Sequence, residues 1–207
     1  MIVAALYVDP RGCYAGQPGV EVWDEARDAR LYPGPWPCVG HSPCQRWGRY
    51  WSGRPGVGGK IKGDDGGCFA SCLASVRAWG GVLEHPAGSY AWAAHGLAEP
   101  HPGGWYVADM FGGWSCQVEQ GHYGHRARKP TWLYAVGCDL PSLKWGRSAA
   151  TLRDEVAEDE TRQRGKRTRH DAIELMCTRE RLATPIPFRD LLLAMARTVT
   201  PRARMTA

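Results

Sequence analysis

The sequence predicts an α/β protein: a partly parallel sheet with flanking helices, continued by a strand-rich second half. Three observations carry this prediction. Residues 2–8 (IVAALYV) form an unbroken apolar, β-branched run that stops at Asp9-Pro10, the pattern of a buried strand. Residues 37–85 alternate strand, helix and strand. After residue 103 the apolar runs are short, aromatic and β-branched, as in successive strands. The chain has 207 residues and is 43% hydrophobic, enough for one domain with a sizeable core. Its 26 Gly, 15 Pro and 10 Trp predict many turns and large flat side chains.

Taken in order, residues 2–8 lack a basic flank before them and read as a first strand, not a signal peptide. Residues 10–20 are a Gly/Pro loop, and residues 23–31 (WDEARDARL) read as a short helix. Residues 37–41 form the second strand. Residues 45–62 are a long polar loop rich in Gly, Arg and aromatic residues, a kind of segment that is usually functional or disordered. A helix opens at Asp64-Asp65-Gly66, buries Phe69, Cys72, Leu73 and Val76 at helical spacing, and ends at Gly80-Gly81. The strand carrying Glu84 follows at once. Further strands are expected at 105–109, 115–119 and 131–136. Thr184-Pro185-Ile186-Pro187 introduces a last helix over 188–199 that buries Leu191, Leu192, Met195 and Val199. The expected layout is one α/β domain made of 1–146 and 178–200, a charged mobile insertion at 147–177, and a tail at 201–207.

No run is long and apolar enough to cross a bilayer. The 8 cysteines, without a signal peptide and with an ample core, read as reduced thiols of a cytoplasmic protein. The net charge is +5, and the basic residues cluster. Arg46, Arg49, Arg54, Lys60 and Lys62 lie in the glycine-rich loop; Arg126, Arg128 and Lys129 follow His125; five more lie at 162–169. Such clusters fit a polyanionic partner, nucleic acid or a nucleotide, and equally fit solvated faces.

Two strand ends carry reactive groups. The strand at 37–41 runs into His41-Ser42-Pro43-Cys44-Gln45, which presents a thiol just beyond the sheet. The next strand delivers Glu84, followed by His85-Pro86. Parallel α/β sheets bind ligands beyond the carboxyl ends of their strands, so both groups point to one cleft. A thiol and a carboxyl group so placed suit nucleophilic addition with acid assistance. The competing readings are a structural core thiol at Cys44, and a zinc site from Cys38, His41 and Cys44 completed by Cys68 and Cys72. Strand spacing puts Cys38 and His41 on opposite faces, and Cys68 and Cys72 fit the helix's buried stripe. Glu84 has its own alternatives, a helix cap or an arginine partner. Trp47 and Trp51, in the polar loop, are the tryptophans expected outside the core.

The order of these segments resembles the DNA cytosine-C5 methyltransferase superfamily, in which a Pro-Cys-Gln cysteine is the nucleophile and a Glu-Asn-Val glutamate its partner. It is closer still to short phage-encoded relatives. The matching segments are His41-Ser42-Pro43-Cys44, Glu84-His85-Pro86-Ala87-Gly88, Tyr123-Gly124-His125-Arg126-Ala127-Arg128-Lys129-Pro130-Thr131, and Arg181-Leu182-Ala183-Thr184-Pro185. The resemblance covers roughly residues 20–140 and 178–200. It implies a reduced Rossmann-like, methyltransferase-like sheet and a transferase that modifies C5 of a pyrimidine in DNA or a nucleotide. Cys44 would add to C6, and Glu84 would stabilise the charge that develops near N3. Arg126 and Arg128 would lie near the ring carbonyl or phosphates. His41, Gln45, Arg46, Trp47 and His85 would contact the base, as would Tyr123, His125 and Lys129. The loop after Cys44 would close over an extruded base.

The chain departs from the resemblance at its start. Enzymes of this class that use S-adenosylmethionine open with a strand and a turn like Phe-x-Gly-x-Gly, whereas here Val8-Asp9-Pro10-Arg11-Gly12 follows the first strand. One alignment even puts Asp9 at the end of the family's second strand, with the first strand missing. Asp9, Gly12 and Asp24 are the cofactor-side candidates, Asp9 having a turn-initiating Asp-Pro as its plain alternative. The methyl donor therefore stays open, and so does a related enzyme that modifies or removes a base substituent without it. A non-catalytic, zinc-stabilised nucleic-acid-binding protein is the reading from a different class. No large recognition domain is visible, so strong sequence specificity is not expected.

Overall fold

The structure, a computed structural model, describes residues 1–49, 51–53, 58–150 and 178–200. The expected mobile insertion lies almost wholly outside the described residues, as do the basic run at 162–169, Arg54 and the tail.

Strand β1 (Val3–Leu6) forms where the sequence runs Val-Ala-Ala-Leu, and both of its faces are buried. β2 (Val20–Trp23), β3 (Cys38–Gly40) and β4 (Gly81–Pro86) line up parallel to it in the order β2-β1-β3-β4. β7 (Pro130–Val136) then pairs antiparallel with β4, β6 (Gly113–Glu119) with β7, and β5 (Trp105–Val107) with β6. The result is one seven-stranded mixed sheet, β2-β1-β3-β4-β7-β6-β5. The molecule is thus α/β with a strand-rich second half.

The central strands read as continuous apolar runs because helices cover both faces. Ala4, Leu6, Cys38 and Leu83 point to α1 (Cys68–Trp79). Val3, Ala5, Val39 and Val82 point to the opposite face, under α4 (Ile186–Arg197). Helix α1 buries the predicted Phe69, Cys72, Leu73 and Val76, and Gly80 ends it. Asp65 fixes its start by accepting the Phe69 and Gly67 N–H groups at 2.8 and 3.0 Å. Helix α4 buries Phe188, Leu192, Leu193, Met195 and Ala196; Val199 just beyond it is buried too, whereas the expected Leu191 is only partly so. Two short helices, α2 (Ala91–Ala94) and α3 (Thr178–Leu182), complete the set.

Two expectations are corrected. Residues 23–31 do not form a helix: β2 occupies their start, and only Ala29–Leu31 make a 3-10 turn. Two aspartates compete with helical bonding there. Asp24 Oδ1 takes the Arg27 N–H at 3.0 Å, and Asp28, in the left-handed region at φ 51°, takes the Arg30 N–H. Trp47 is not a loop-surface residue. It is 7% exposed, its ring packs near Phe69 and His95, and its indole N–H donates to Asp65 at 2.7 Å.

Candidate functional site

The β3–β4 register sets Gly40 beside Leu83, so His41, just past the end of β3, stands beside Glu84, which lies within β4 and pairs with Leu133 of β7. Side chains alternate between faces along a strand, which puts both on the α4 face with Val39 and Val82. His41 Nδ1 and Glu84 Oε2 lie 2.9 Å apart, with side-chain exposures of 13% and 12%. On the other side of the imidazole, His41 Nε2 lies 2.8 Å from the hydroxyl of Tyr14, which comes from the turn after β1.

The antiparallel strands bring a fourth residue. β6 ends and β7 begins at this same edge, with Glu119 opposite Pro130 and Pro86 opposite Thr131. Gln120, buried in the 3-10 turn after β6, donates through Nε2 to Glu84 Oε1 at 3.1 Å and to Thr131 Oγ1 at 3.0 Å. Thr131 in turn donates to the Lys129 carbonyl at 3.0 Å. Both oxygens of Glu84 are therefore held by donors from other strands. Burial pushes its carboxyl up; the hydrogen bond and charge of His41, with the charges of Lys129 and His85, outweigh that and hold it below its ordinary value. Burial also keeps Tyr14 a phenol, far above its usual range.

Cys44 is half-buried in the segment leaving β3, at the carboxyl edge of the strand adjacent to that of Glu84. Its carbonyl accepts the N–H groups of Trp47 and Gly48 at 3.0 and 3.1 Å, so the thiol sits on a fixed turn. Gln45 is exposed beside it, and Arg46 donates to the Trp51 carbonyl at 3.2 Å.

Several other residues singled out from the sequence are placed elsewhere. His85 is fully buried on the α1 face, with ring centroids 5.2 Å from Phe69 and 6.2 Å from Trp92. The Pro43 carbonyl approaches it, but neither ring nitrogen makes a hydrogen bond of full geometry. With Trp47, it is removed from the base-contacting set. His125 is buried and bonds through Nδ1 within its own turn, to the backbone of Ala127. Tyr123 packs at a tilt against Phe188, and its hydroxyl accepts the Lys144 backbone N–H, a packing role. Arg126 pairs with Glu180 at 3.0 Å, Arg128 lies 3.7 Å from Glu119, and Lys129 donates to the Ala183 carbonyl at 3.0 Å. These three basic groups tie the 126–129 segment to α3 and to the end of β6.

Of the cofactor-side candidates, Asp9 and Gly12 form the turn after β1. Asp9 Oδ1 accepts the Arg11 N–H at 2.8 Å, and its carbonyl accepts that of Gly12 at 2.8 Å. Asp24 stands at the carboxyl end of β2, next to that turn. β1 itself lies between β2 and β3. It is therefore the second strand of the sheet, with Asp9 in the turn beyond its end and Asp24 just past the end of its neighbour β2. A shared metal at Cys38 and His41 is ruled out by placement: Cys38 is buried in the α1-side core, whereas His41 bonds Tyr14 and Glu84 on the opposite face.

Tyr14 and Gln120 are the residues that sequence reasoning missed, and Thr131, which closes one of the matching segments, was given no role. The contacts of all three depend on register between strands far apart in the chain. The chain matches no protein-family model, no curated protein and no solved structure.

Proposed function

We propose that the protein is a pyrimidine-modifying enzyme of the cytosine-C5 methyltransferase type, acting on a base in DNA or a nucleotide through a covalent bond from Cys44 to C6. The observation that carries this reading is Glu84, a nearly buried carboxyl group gripped by His41 and Gln120 at the edge where the neighbouring parallel strand leads to Cys44. A nearly buried carboxyl group held by donors from two other segments of the chain fits a place in the chemistry. The sheet order supports the same reading: the chain passes from β1 outward to β2 and back across β1 to β3. This reversal fits a topological switch point, where ligands of parallel α/β sheets bind outside the carboxyl ends of the strands.

The chemistry uses these groups as follows. The Cys44 thiolate adds to C6, and the electron pair of the C5–C6 double bond moves onto C5. Glu84 gives a proton to N3, which neutralises the charge spread over the ring. C5, now enamine-like, takes an electrophile. Loss of the C5 proton and departure of the sulfur restore the aromatic ring. The carboxylates of Asp9 and Asp24 and the tight turn at Gly12 fit a ligand bearing hydroxyl groups and a positive sulfonium, and would hold S-adenosylmethionine. That cofactor, when bound, supplies the methyl group.

The test is duplex DNA containing 5-fluorocytosine, incubated with S-adenosylmethionine. The expected result is a denaturation-resistant protein–DNA adduct that Cys44→Ala abolishes. A companion measurement follows exchange of the cytosine C5 hydrogen in deuterated water, which needs addition at C6 but no methyl donor. Wild-type protein that gives neither adduct nor exchange, with DNA or with the free nucleotide, overturns the reading. An adduct that survives in Cys44→Ala removes the nucleophile assignment.

A further inference from the structure

The hydrogen-bonded row Tyr14–His41–Glu84–Gln120 contains two residues, Tyr14 and Gln120, that the addition chemistry alone does not require. Directions along the row are constrained. Thr131 donates to the Lys129 carbonyl, so its oxygen accepts from Gln120, and the Gln120 amide spends its N–H groups on Thr131 and Glu84 Oε1. Gln120 therefore presents no acceptor to a proton on Oε1. The only partner that can exchange a proton with Glu84 in this row is His41, across 2.9 Å at Oε2. Tyr14 holds the far nitrogen of the same ring at 2.8 Å.

We propose that His41, oriented by Tyr14, is the proton carrier for Glu84, and that Gln120 keeps Glu84 turned to receive that proton on Oε2. This inference rests on the proposed addition at C6 and specifies how that site is charged with its proton. In the imidazolium form His41 donates from Nε2 to the Tyr14 oxygen and from Nδ1 to Glu84. The Nδ1 proton passes to Oε2, leaving a neutral imidazole with its proton on Nε2 and a carboxylic acid at Glu84. Glu84 then passes the proton to N3 as the sulfur–C6 bond forms. When the sulfur leaves, the N3 proton returns by the same route. The route thus gives back the proton it supplied, and the C5 proton displaced by the electrophile leaves separately to water.

His41 and Tyr14 are positioning residues, because they act through Glu84. The charged and titratable groups that bear on them come from every neighbouring element. Lys129 before β7 and His85 on β4 act on Glu84; Cys13 beside Tyr14, and Arg189 and Asp190 on α4, act on Tyr14. None of these lies between His41 and Glu84, which face each other directly across 2.9 Å.

The experiment measures C5 hydrogen–deuterium exchange of cytosine DNA against pH, without any methyl donor. The wild-type rate is expected to fall on the alkaline side, where the row no longer holds the proton that N3 must receive. His41→Asn keeps a hydrogen-bond donor toward Glu84 but carries no transferable proton. It is expected to lower the rate at least tenfold and to remove that alkaline limb, and imidazole in the buffer is expected to restore part of the rate of His41→Ala. Tyr14→Phe keeps the packed ring, and is expected to lower the rate several-fold while moving the limb. An unchanged limb in both His41→Asn and Tyr14→Phe overturns the proposal while leaving the Cys44 chemistry standing. Absence of exchange in the wild type removes the addition chemistry, and the carrier role with it.

Discussion

His85 shows what a single buried group does to this molecule. Its imidazole is fully buried between Phe69 and Trp92, with neither nitrogen hydrogen-bonded. Burial, the dominant cause, pushes its pKa from 6.5 down to about 4. As pH falls, the unfolded chain takes up this proton first. The native state keeps its full advantage above about 6.5 and loses it progressively between 6.5 and about 4, a loss of about 3 kcal/mol in all. His85→Leu removes the titration and the unmatched nitrogens. Urea unfolding at pH 7 and at pH 4.5 should show a marked loss for the wild type and a clearly smaller one for the variant. Equal losses would mean that other groups govern acid sensitivity. Asp65 is a second such residue, since one carboxylate caps α1 and holds the Trp47 indole. Asp65→Ala is expected to cost about 2 kcal/mol or more in the same assay, because it removes the cap and strands a nearly buried donor.

At the scale of elements, the contact between α1 and the sheet is set by a missing side chain. A Cβ on Gly40 would stand 2.2 Å from the Cys72 sulfur, so β3 and α1 approach only because Gly40 has none. Gly40→Ala should destabilise by about 1–3 kcal/mol, and Cys72→Ala should recover part of that loss when combined with it. A double variant whose cost is the simple sum would mean the clash is relieved elsewhere. Elements of this kind were the legible part of the sequence. β1 and α1 announced themselves because one is an unbroken apolar run closed by Asp9-Pro10 and the other repeats Phe69, Cys72, Leu73 and Val76 at helical spacing. β2 was hidden, since its Val-Glu-Val-Trp run is broken by a charge and half-buried throughout, and Asp24 and Asp28 turn the following segment out of a helix. At the candidate site, His41 was legible as a strand-end residue, whereas Glu84, read as one too, lies inside β4, which runs on to Pro86 against β7. Their contact with each other was not legible, because it follows from the pairing of β3 with β4. Tyr14 and Gln120 reach the same point through β1 and β6, and only the folded sheet relates them.

Over the whole molecule, the last helix closes the site that the first turn opens. α4 lies across β1, β3 and β4, burying Phe188 and Leu192 fully over Val39 and Val82. Leu192→Ala is therefore expected to cost about 2–5 kcal/mol. The more telling residue is Arg189. It is 8% exposed, and it donates to the Cys13 carbonyl at 2.7 Å while pairing with Asp190. Cys13 immediately precedes Tyr14, so one guanidinium fixes the turn that presents Tyr14 to His41. Arg189→Met keeps most of the apolar stem and removes that donor. Besides the side-chain bonds of Asp9 and Tyr14, the turn has single backbone bonds, Gly12 to Asp9, Ala15 to Gly12 and Gln17 to Tyr14, at 2.8, 3.1 and 3.4 Å. In Arg189→Met the amides of Gly12, Ala15 and Gln17 should exchange with solvent faster, while those of β3 and β4 keep their protection. Faster exchange throughout the sheet would instead make Arg189 a general stabilising residue, with no particular hold on the turn.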